Sequence, residues 1–365
     1  MTEHLSQATI VALALLAAAV ISLTVTSCGG DEEPSTPGTI RSAAEPLEEI
    51  YLPPPPPPPG RAPDPPSAGN AVDDTLQLQL ESILSAYDNE YQYGIITELA
   101  SDRYQGRRTG SDGARAAAAF IAAEFGRLGL QPWSHVGLDS YYHHFSGGGL
   151  EDDNIIGVLP GSNPGGAIVI LAAHYDHLGM DGQGNAYNGA DDNAAGVATI
   201  LEAAANLRSL GYRPADTIVF CAFSGEEQGQ VGAGALGRLI TDAGLAGRVE
   251  MINIDGIGAT GGDYLGVWDE GSAAAAPLVA TMSQAGSYLG TTVINEGTDI
   301  GSDAQPFAWE YGIPAITVDW DWGSNPSAYH PYYHTIHDDA GAIDRPTLAR
   351  ATRVILVGLW LRAYS

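Results

Sequence analysis

Four short stretches of the chain are apolar at almost every position: AIVILAAHYD (167–176), TIVFCAFS (217–224), VEMINID (249–255) and IPAITVD (313–319). A strand with one wet face alternates polar and apolar residues, so a strand without a polar face must be covered on both sides. Helical patterns lie between and around these runs. GARAAAAFIAAEFGRLGL follows Ser111-Asp112, ends at Gly129 and has Pro132 beyond it, which is the punctuation of a capped helix. AAGVATILEAAANLRSL (194–210) is closed by Gly211, AAAAPLVATMSQAG (273–286) suggests another helix, and RPTLARATRVILVGLWLRA (345–363) has Pro at its first turn. Strands alternating with helices in this way predict an α/β fold, a three-layer sandwich whose mainly parallel mixed sheet is covered by helices on both faces.

In such sheets the functional groups gather just beyond the carboxyl ends of the strands. Each of these ends carries an acid or an imidazole. His174 and Asp176 close the first run, Glu226 and Glu227 follow the second by a short turn, and Asp255 closes the third. Asp191 and Asp192 open the helix after the first run, and His334 and Asp338 lie in the loop before the last helix.

Composition removes several function classes. The 365 residues carry 15 basic and 44 acidic side chains, a formal charge of −29, and every basic residue is an arginine. Such a surface repels nucleic acid. A phosphate loop of the Walker type needs a lysine and is excluded; no GxSxG nucleophile elbow and no HExxH occurs. GIGATG (256–261) fits the glycine spacing of a dinucleotide site, but that fingerprint must open a helix, and the following GDYLGVWDEG reads as a turn and another strand. With two cysteines there is no disulfide framework; Cys221 falls within an apolar run and reads as a buried strand residue.

The N-terminus has its own logic. Residues 8–25 (ATIVALALLAAAVISLTV) form a continuous apolar run followed by Thr26-Ser27-Cys28-Gly29, which resembles the signal peptide of a bacterial lipoprotein, although the leading MTEHLSQ lacks the usual basic residue. An uncleaved signal anchor is the alternative. Both put the rest of the chain outside the cytoplasm on a membrane tether. Residues 28–72, rich in Pro, Gly and Ser with an unbroken Pro53–Pro59, cannot bury a core and read as an extended spacer. The expected organisation is a signal peptide at 1–27, a lipid-anchored linker at 28–72 and one catalytic domain at 73–365.

Adjacent aspartates in GADDNAAG (189–196) repel each other, and neither has a cationic neighbour in sequence. Two divalent cations a few ångströms apart reverse the sign of that arrangement, because one carboxylate can bridge them. Histidines and carboxylates without thiolates suit Zn²⁺.

Taken together, HYDHLG (174–179), GADDNAAG (189–196), FSGEEQG (223–229), NIDGIG (253–258) and HTIHDD (334–339) resemble the M28 family of zinc peptidases, the co-catalytic aminopeptidases and their relatives. LASDRYQGRRTGSDG and NIIGVLPG also look like family segments, so the resemblance covers roughly residues 90 to 360. It implies a zinc-exopeptidase fold holding two Zn²⁺ ions. His174 and Asp255 would hold one, Glu227 and His334 the other, and Asp191 would bridge them. Asp192 would be a structural neighbour behind a cis peptide bond, and Asp176 and Asp338 would orient His174 and His334. Glu226 would be the general base, an assignment over Glu227 that rests on the resemblance alone. Tyr333 would hydrogen-bond the oxyanion, with Tyr332 and Tyr329 close by. His177, His330 and His337 are set aside as packing or surface residues. VDWDWGSNPSAYHPYY (318–333) is a candidate wall for the substrate pocket, or a loop packed on itself. Ala304, in GSDAQPF, stands where many relatives have a histidine.

The activity implied is hydrolysis of N-terminal peptide bonds, with peptides as substrates. A glutaminyl cyclase using one zinc is the alternative within enzymes, and a non-catalytic surface receptor on the same fold the alternative outside them. The absence of a large insertion argues against a protease-associated domain and the dimeric carboxypeptidase architecture.

Overall fold

The computed structural model describes residues 71–364 apart from 148, 299 and 300, with side chains from residue 75 onward. The expected signal peptide and nearly all of the linker lie outside the described residues. Among those described, no helix is long and apolar enough to cross a membrane.

Eight strands form one sheet: β1 (Tyr142–Gly147), β2 (Leu150–Leu159), β3 (Ile168–His174), β4 (Thr217–Phe223), β5 (Val249–Ile254), β6 (Tyr264–Trp268), β7 (Thr292–Gly297) and β8 (Ala315–Trp320). Their spatial order is β1-β2-β4-β3-β5-β8-β6-β7. The four central strands, β4, β3, β5 and β8, run parallel, as do β6 and β7; β2 joins β4, β1 joins β2 and β6 joins β8 in antiparallel fashion. The sheet is therefore mixed with a parallel centre.

The unbroken apolar runs are explained by two cores. In β3, Val169, Leu171 and Ala173 face one cluster while Ile168, Ile170 and Ala172 face the other. In β4, Ile218, Phe220 and Ala222 join the first, and Val219, Cys221 and Phe223 the second. The period of two persists, but both faces are dry. Each such Ile, Leu or Phe contributes about 1.5–3 kcal/mol by leaving water.

The helices that cover the first face are α1 (Ala71–Ala86), α2 (Asn89–Leu99), α3 (Asp112–Arg127), α4 (Ala195–Leu210), α6 (Ala276–Leu289) and α9 (Arg345–Ala363). The second face is covered by α5 (Val231–Asp242) and α7 (Ala304–Tyr311). A short α8 (Pro326–Tyr329) lies in the loop after β8. Ser111 caps α3 by accepting the Ala114 N–H at 3.1 Å. The glycine-rich segment 256–262 runs directly into β6 and opens no helix, so the dinucleotide pattern lacks its structural context. The helices α1 and α2 carried no clear signal in the sequence.

Candidate metal centre

His174 is the last residue of β3, Glu226 and Glu227 follow β4 by two residues, and Asp255 directly follows β5. Because these strands are parallel neighbours, their carboxyl ends converge. The His174 ring donates Nδ1–H to the Asp176 carbonyl (3.1 Å), which turns Nε2 toward Asp192 Oδ1 (3.2 Å) and Asp255 Oδ1 (3.4 Å). His334 Nε2 lies 3.2 Å from both Asp192 Oδ2 and Glu227 Oε2. It arrives on the loop before α9 with a left-handed φ of +56°.

Among the described residues, two groups of potential metal donors result. One is His174, Asp192 and Asp255; the other is His177, Asp192, Glu227 and His334, with the donor atoms of each group within 4.8 Å of one another. Asp192 is common to both.

Three expectations need correction. Asp191 was expected to bridge two ions, yet it belongs to neither group. Its Oδ1 accepts the Gly258 N–H (2.6 Å) and its Oδ2 lies 2.6 Å from His330 Nδ1, so both oxygens are already engaged. Gly258 is the residue that permits this approach, since a Cβ there would meet Ile343 Cδ1 at 2.5 Å and Asp191 Oδ1 at 3.0 Å. The cis peptide bond lies between Asp192 and Asn193, one residue later than expected. Asp192 is thus the member of the pair that faces the donors on both sides, and Asn193 ties the start of α4 to the sheet through the Ile254 carbonyl (2.8 Å) and the Gly196 N–H (3.0 Å).

The second correction concerns Asp338. Rather than touching His334, it accepts the backbone N–H groups of Asp191 (2.9 Å) and Asp192 (3.1 Å), holding the segment that carries the shared carboxylate. Asp176 faces His174, its Oδ1 3.8 Å from the ring Nδ1, and has a second task as well. Its two oxygens accept the N–H groups of Glu226 (3.2 Å) and Glu227 (3.3 Å), so it fixes the turn after β4 while its carbonyl aligns His174.

The third concerns histidines set aside as packing residues. His177 is buried, with Nδ1 2.6 Å from Glu227 Oε1 and 3.7 Å from Asp192 Oδ2. His330 donates Nε2–H to the Trp320 carbonyl (2.9 Å) and clamps Asp191 with its other nitrogen. Burial works against a charge on His330, but Asp191 overrides it and holds the imidazole at a pKa of about 9. Among the histidines set aside, His337 alone belongs to neither of these arrangements; its ring meets the exposed Tyr332.

Arg107 went unrecognised altogether. It is fully buried and donates to the carbonyls of Leu99 (2.6 Å), Tyr175 (2.7 Å), Asn188 (2.6 Å) and Gly189 (2.9 Å). Burial lowers its pKa to about 10 while Asp338, Asp192, Asp176 and Glu227 pull it upward, so it stays cationic beneath the acids. Its only trace in the sequence was its place in the family-like segment RYQGRRTG.

The chemistry of the donor set fits divalent zinc. His177 Nε2 is a buried atom with no hydrogen-bond partner, and the buried Asp192 Oδ2 meets only the imidazoles of His334 (3.2 Å) and His177 (3.7 Å). Burial opposes protonation of His174 and His334, but Asp255, Asp192 and Glu227 outweigh it and raise both, His334 to about 10. Imidazoles forced to carry protons by surrounding carboxylates mark a site with surplus negative charge, which a dication relieves. The partly buried Glu226 belongs to neither donor group; burial, with Asp303, Asp255 and Asp176, pushes its carboxyl well above the ordinary range against the pull of His174.

A cavity of about 620 Å³, counting its opening to solvent, lies beside these groups, and its lining includes Asp192, Glu226, Asp255, Trp322 and Tyr333. Tyr333 stacks on His334, ring centroids 3.8 Å apart, and meets Trp322 edge-on at 4.8 Å. Tyr329 and Tyr332 line a smaller neighbouring pocket instead.

Imidazoles and carboxylates converging in two groups at the carboxyl ends of a parallel sheet define a metallohydrolase-type centre. The chain matches the model of Peptidase family M28 over residues 154–358, more than half its length, and belongs to that family of zinc peptidases. A "Probable zinc metalloprotease" of Pyrenophora tritici-repentis is 40% identical over 107 residues, 28% of this chain and 24% of that protein. A second protein of that description, from Leptosphaeria maculans, is 30% identical over 208 residues, 53% of this chain and 46% of its own length. The chain thus spans about a quarter to a half of the length of these curated relatives. Its fold is that of the LapA aminopeptidase of Legionella pneumophila, with a TM-score of 0.65 at 18% identity over 79% of this chain and 75% of that one. It is also that of the glutaminyl cyclase of Porphyromonas gingivalis, with a TM-score of 0.61 at 20% identity over 76% and 99%.

Proposed function

We propose that the protein is a two-zinc exopeptidase that removes residues from the N-termini of peptides. The observation that carries this reading is that one carboxylate, Asp192, belongs to two separate donor groups. His174, Asp192 and Asp255 would hold one ion; Asp192, Glu227 and His334 would hold the other, with His177 fixing Glu227 from behind. When bound, zinc supplies Lewis acidity toward the scissile carbonyl and toward water. Glu226 accepts the proton from the attacking water and returns it to the leaving amine, from a place on the cavity lining that belongs to neither donor group. Tyr333, at the cavity rim, donates its hydroxyl to the oxyanion. The N-terminal signal and spacer would place this activity outside the cytoplasm on a membrane tether.

The similarity to a glutaminyl cyclase keeps one other reading in play, a single-zinc enzyme that cyclises N-terminal glutamine. A peptide-library digest read by mass spectrometry, run with and without chelator beside a metal analysis, separates the two. Chelator-sensitive loss of N-terminal residues by protein holding two zinc ions is expected. Pyroglutamate formation by protein holding one would refute the peptidase reading.

A further inference from the structure

Gln230 occupies a position whose backbone suits glycine. Its φ of +54° lies in the left-handed region, directly after Gly229 at +94°. A side chain there is strained, and such strain persists where the surroundings fix it. Gln230 is also the N-cap of α5, yet its side chain caps no N–H group of that helix. The turn itself closes through the main chain, the Glu226 carbonyl accepting the N–H groups of Gly229 (2.8 Å) and Gln230 (3.0 Å). Neither turn closure nor helix capping accounts for this side chain.

What it touches is the cavity lining. Gln230 Nε2 donates to the Gly301 carbonyl at 2.6 Å and lies 3.5 Å from Glu226 Oε1. Gly301 and Glu226 both line the cavity. Both neighbours only accept, so the amide nitrogen rather than its oxygen must face them, and it has one hydrogen for each. Asp176 fixes the backbone N–H of Glu226 at 3.2 Å, but the carboxylate sits at the end of a flexible stem. Among the described residues, Gln230 is the one hydrogen-bond partner of that carboxylate. Hydrogen bonds to a catalytic group commonly tighten once substrate is bound. The residue after Gly301, Ser302, donates to Asp255 Oδ2 at 2.7 Å. The amide thus ties the turn bearing the base to the segment that supports a metal donor.

We propose that Gln230 is a positioning residue for Glu226: its amide, anchored on the Gly301 carbonyl, engages one carboxylate oxygen and leaves the other to face the attacking water. This rests on the peptidase reading, which makes Glu226 the base.

The test compares the zinc-loaded full chain with two variants. Gln230→Met has nearly the same shape and no donor, and Gln230→Gly suits the left-handed backbone. Values of kcat and KM are measured on leucyl, alanyl, phenylalanyl and lysyl p-nitroanilides, together with zinc content and the urea midpoint. Both variants are expected to lose roughly 10- to 100-fold in kcat, with KM within about threefold and zinc content unchanged. The midpoint of Gln230→Gly should lie at or above that of the wild type, so its lost activity cannot come from a weakened fold. In a Glu226→Gln background, Gln230→Met should cost less than about twofold more, because it acts through that carboxylate. Variants within about twofold of wild type in kcat, or an equal loss in the Glu226→Gln background, overturn the inference and leave the peptidase reading standing. A loss of activity that follows a loss of zinc or a falling midpoint in both variants also overturns it. Zinc-loaded wild type that cleaves neither this panel nor a peptide library sinks the peptidase reading and the inference with it. Should Gln230→Met fail to fold, Gln230→Gly decides.

Discussion

Glu202 sits on α4, the helix that opens with the Asp192 segment, and is buried to 1% exposure. Its Oε1 accepts the N–H of Asp88, the residue that caps α2, at 3.0 Å. Burial raises its carboxyl from 4.5 to about 8. The consequence for stability has a definite sign. Between those two values the unfolded chain gives up the Glu202 proton and the folded chain keeps it, so folding weakens as pH rises. Glu202→Gln keeps the acceptor for Asp88 and removes the titration. At about pH 5.5 the wild type has lost about 1 unit of the difference, and at about pH 8.5 more than 3, at about 1.4 kcal/mol each. The variant's stability relative to wild type should therefore improve by about 3 kcal/mol between those conditions. Urea unfolding of both proteins at both pH values, followed by far-UV circular dichroism, measures it, and titrations at the metal centre cancel in the difference. A stability difference between the two proteins that stays constant within about 0.5 kcal/mol across that range would refute the reasoning.

The remaining predictions concern the centre and its surroundings. Asp192→Asn should abolish binding of both zinc ions, whereas Asp191→Asn should retain them; metal content after gel filtration distinguishes the two, and the reverse outcome would restore Asp191 as the bridge. Glu226→Gln should lower kcat by about 10²–10⁴-fold with zinc content unchanged, because Glu226 belongs to neither donor group. Arg107→Met takes a donor from four carbonyls, of which that of Gly189 keeps the Ala194 N–H, and removes the cation beneath the acids, so it should cost about 3–5 kcal/mol of stability, read from urea midpoints. Cys28→Ser should move the protein from the membrane fraction of its producing cells to the soluble one, unless residues 8–25 remain uncleaved as an anchor.

What the sequence disclosed depended on range. Fully apolar runs are a local signal of burial on two faces, and the four of them located β3, β4, β5 and β8 to within a residue or two at most ends. The acids and imidazoles could be sorted because parallel strands end on one side. What could not be read was which of two identical neighbours points inward: Asp191 and Asp192 differ in backbone path, which is set by partners 67 to 147 positions away, at Gly258, His330 and Asp338. His177 and His330 were missed for the same reason, since a lone histidine carries no mark of the carboxylate it will meet. Arg107 lies 68 residues from Tyr175, and only the folded chain brings a guanidinium under the acids.

No single strand, helix or loop of this chain holds the centre. The two donor groups draw on the ends of β3, β4 and β5, on the start of α4 and on a loop beyond β8, spanning residues 174 to 334. A half-assembled sheet would have isolated acids and imidazoles in water, each with its ordinary affinity for protons. The geometry that gathers them into two donor groups therefore exists only once all of these segments have docked, and a metal ion bound there would tie five distant parts of the chain together.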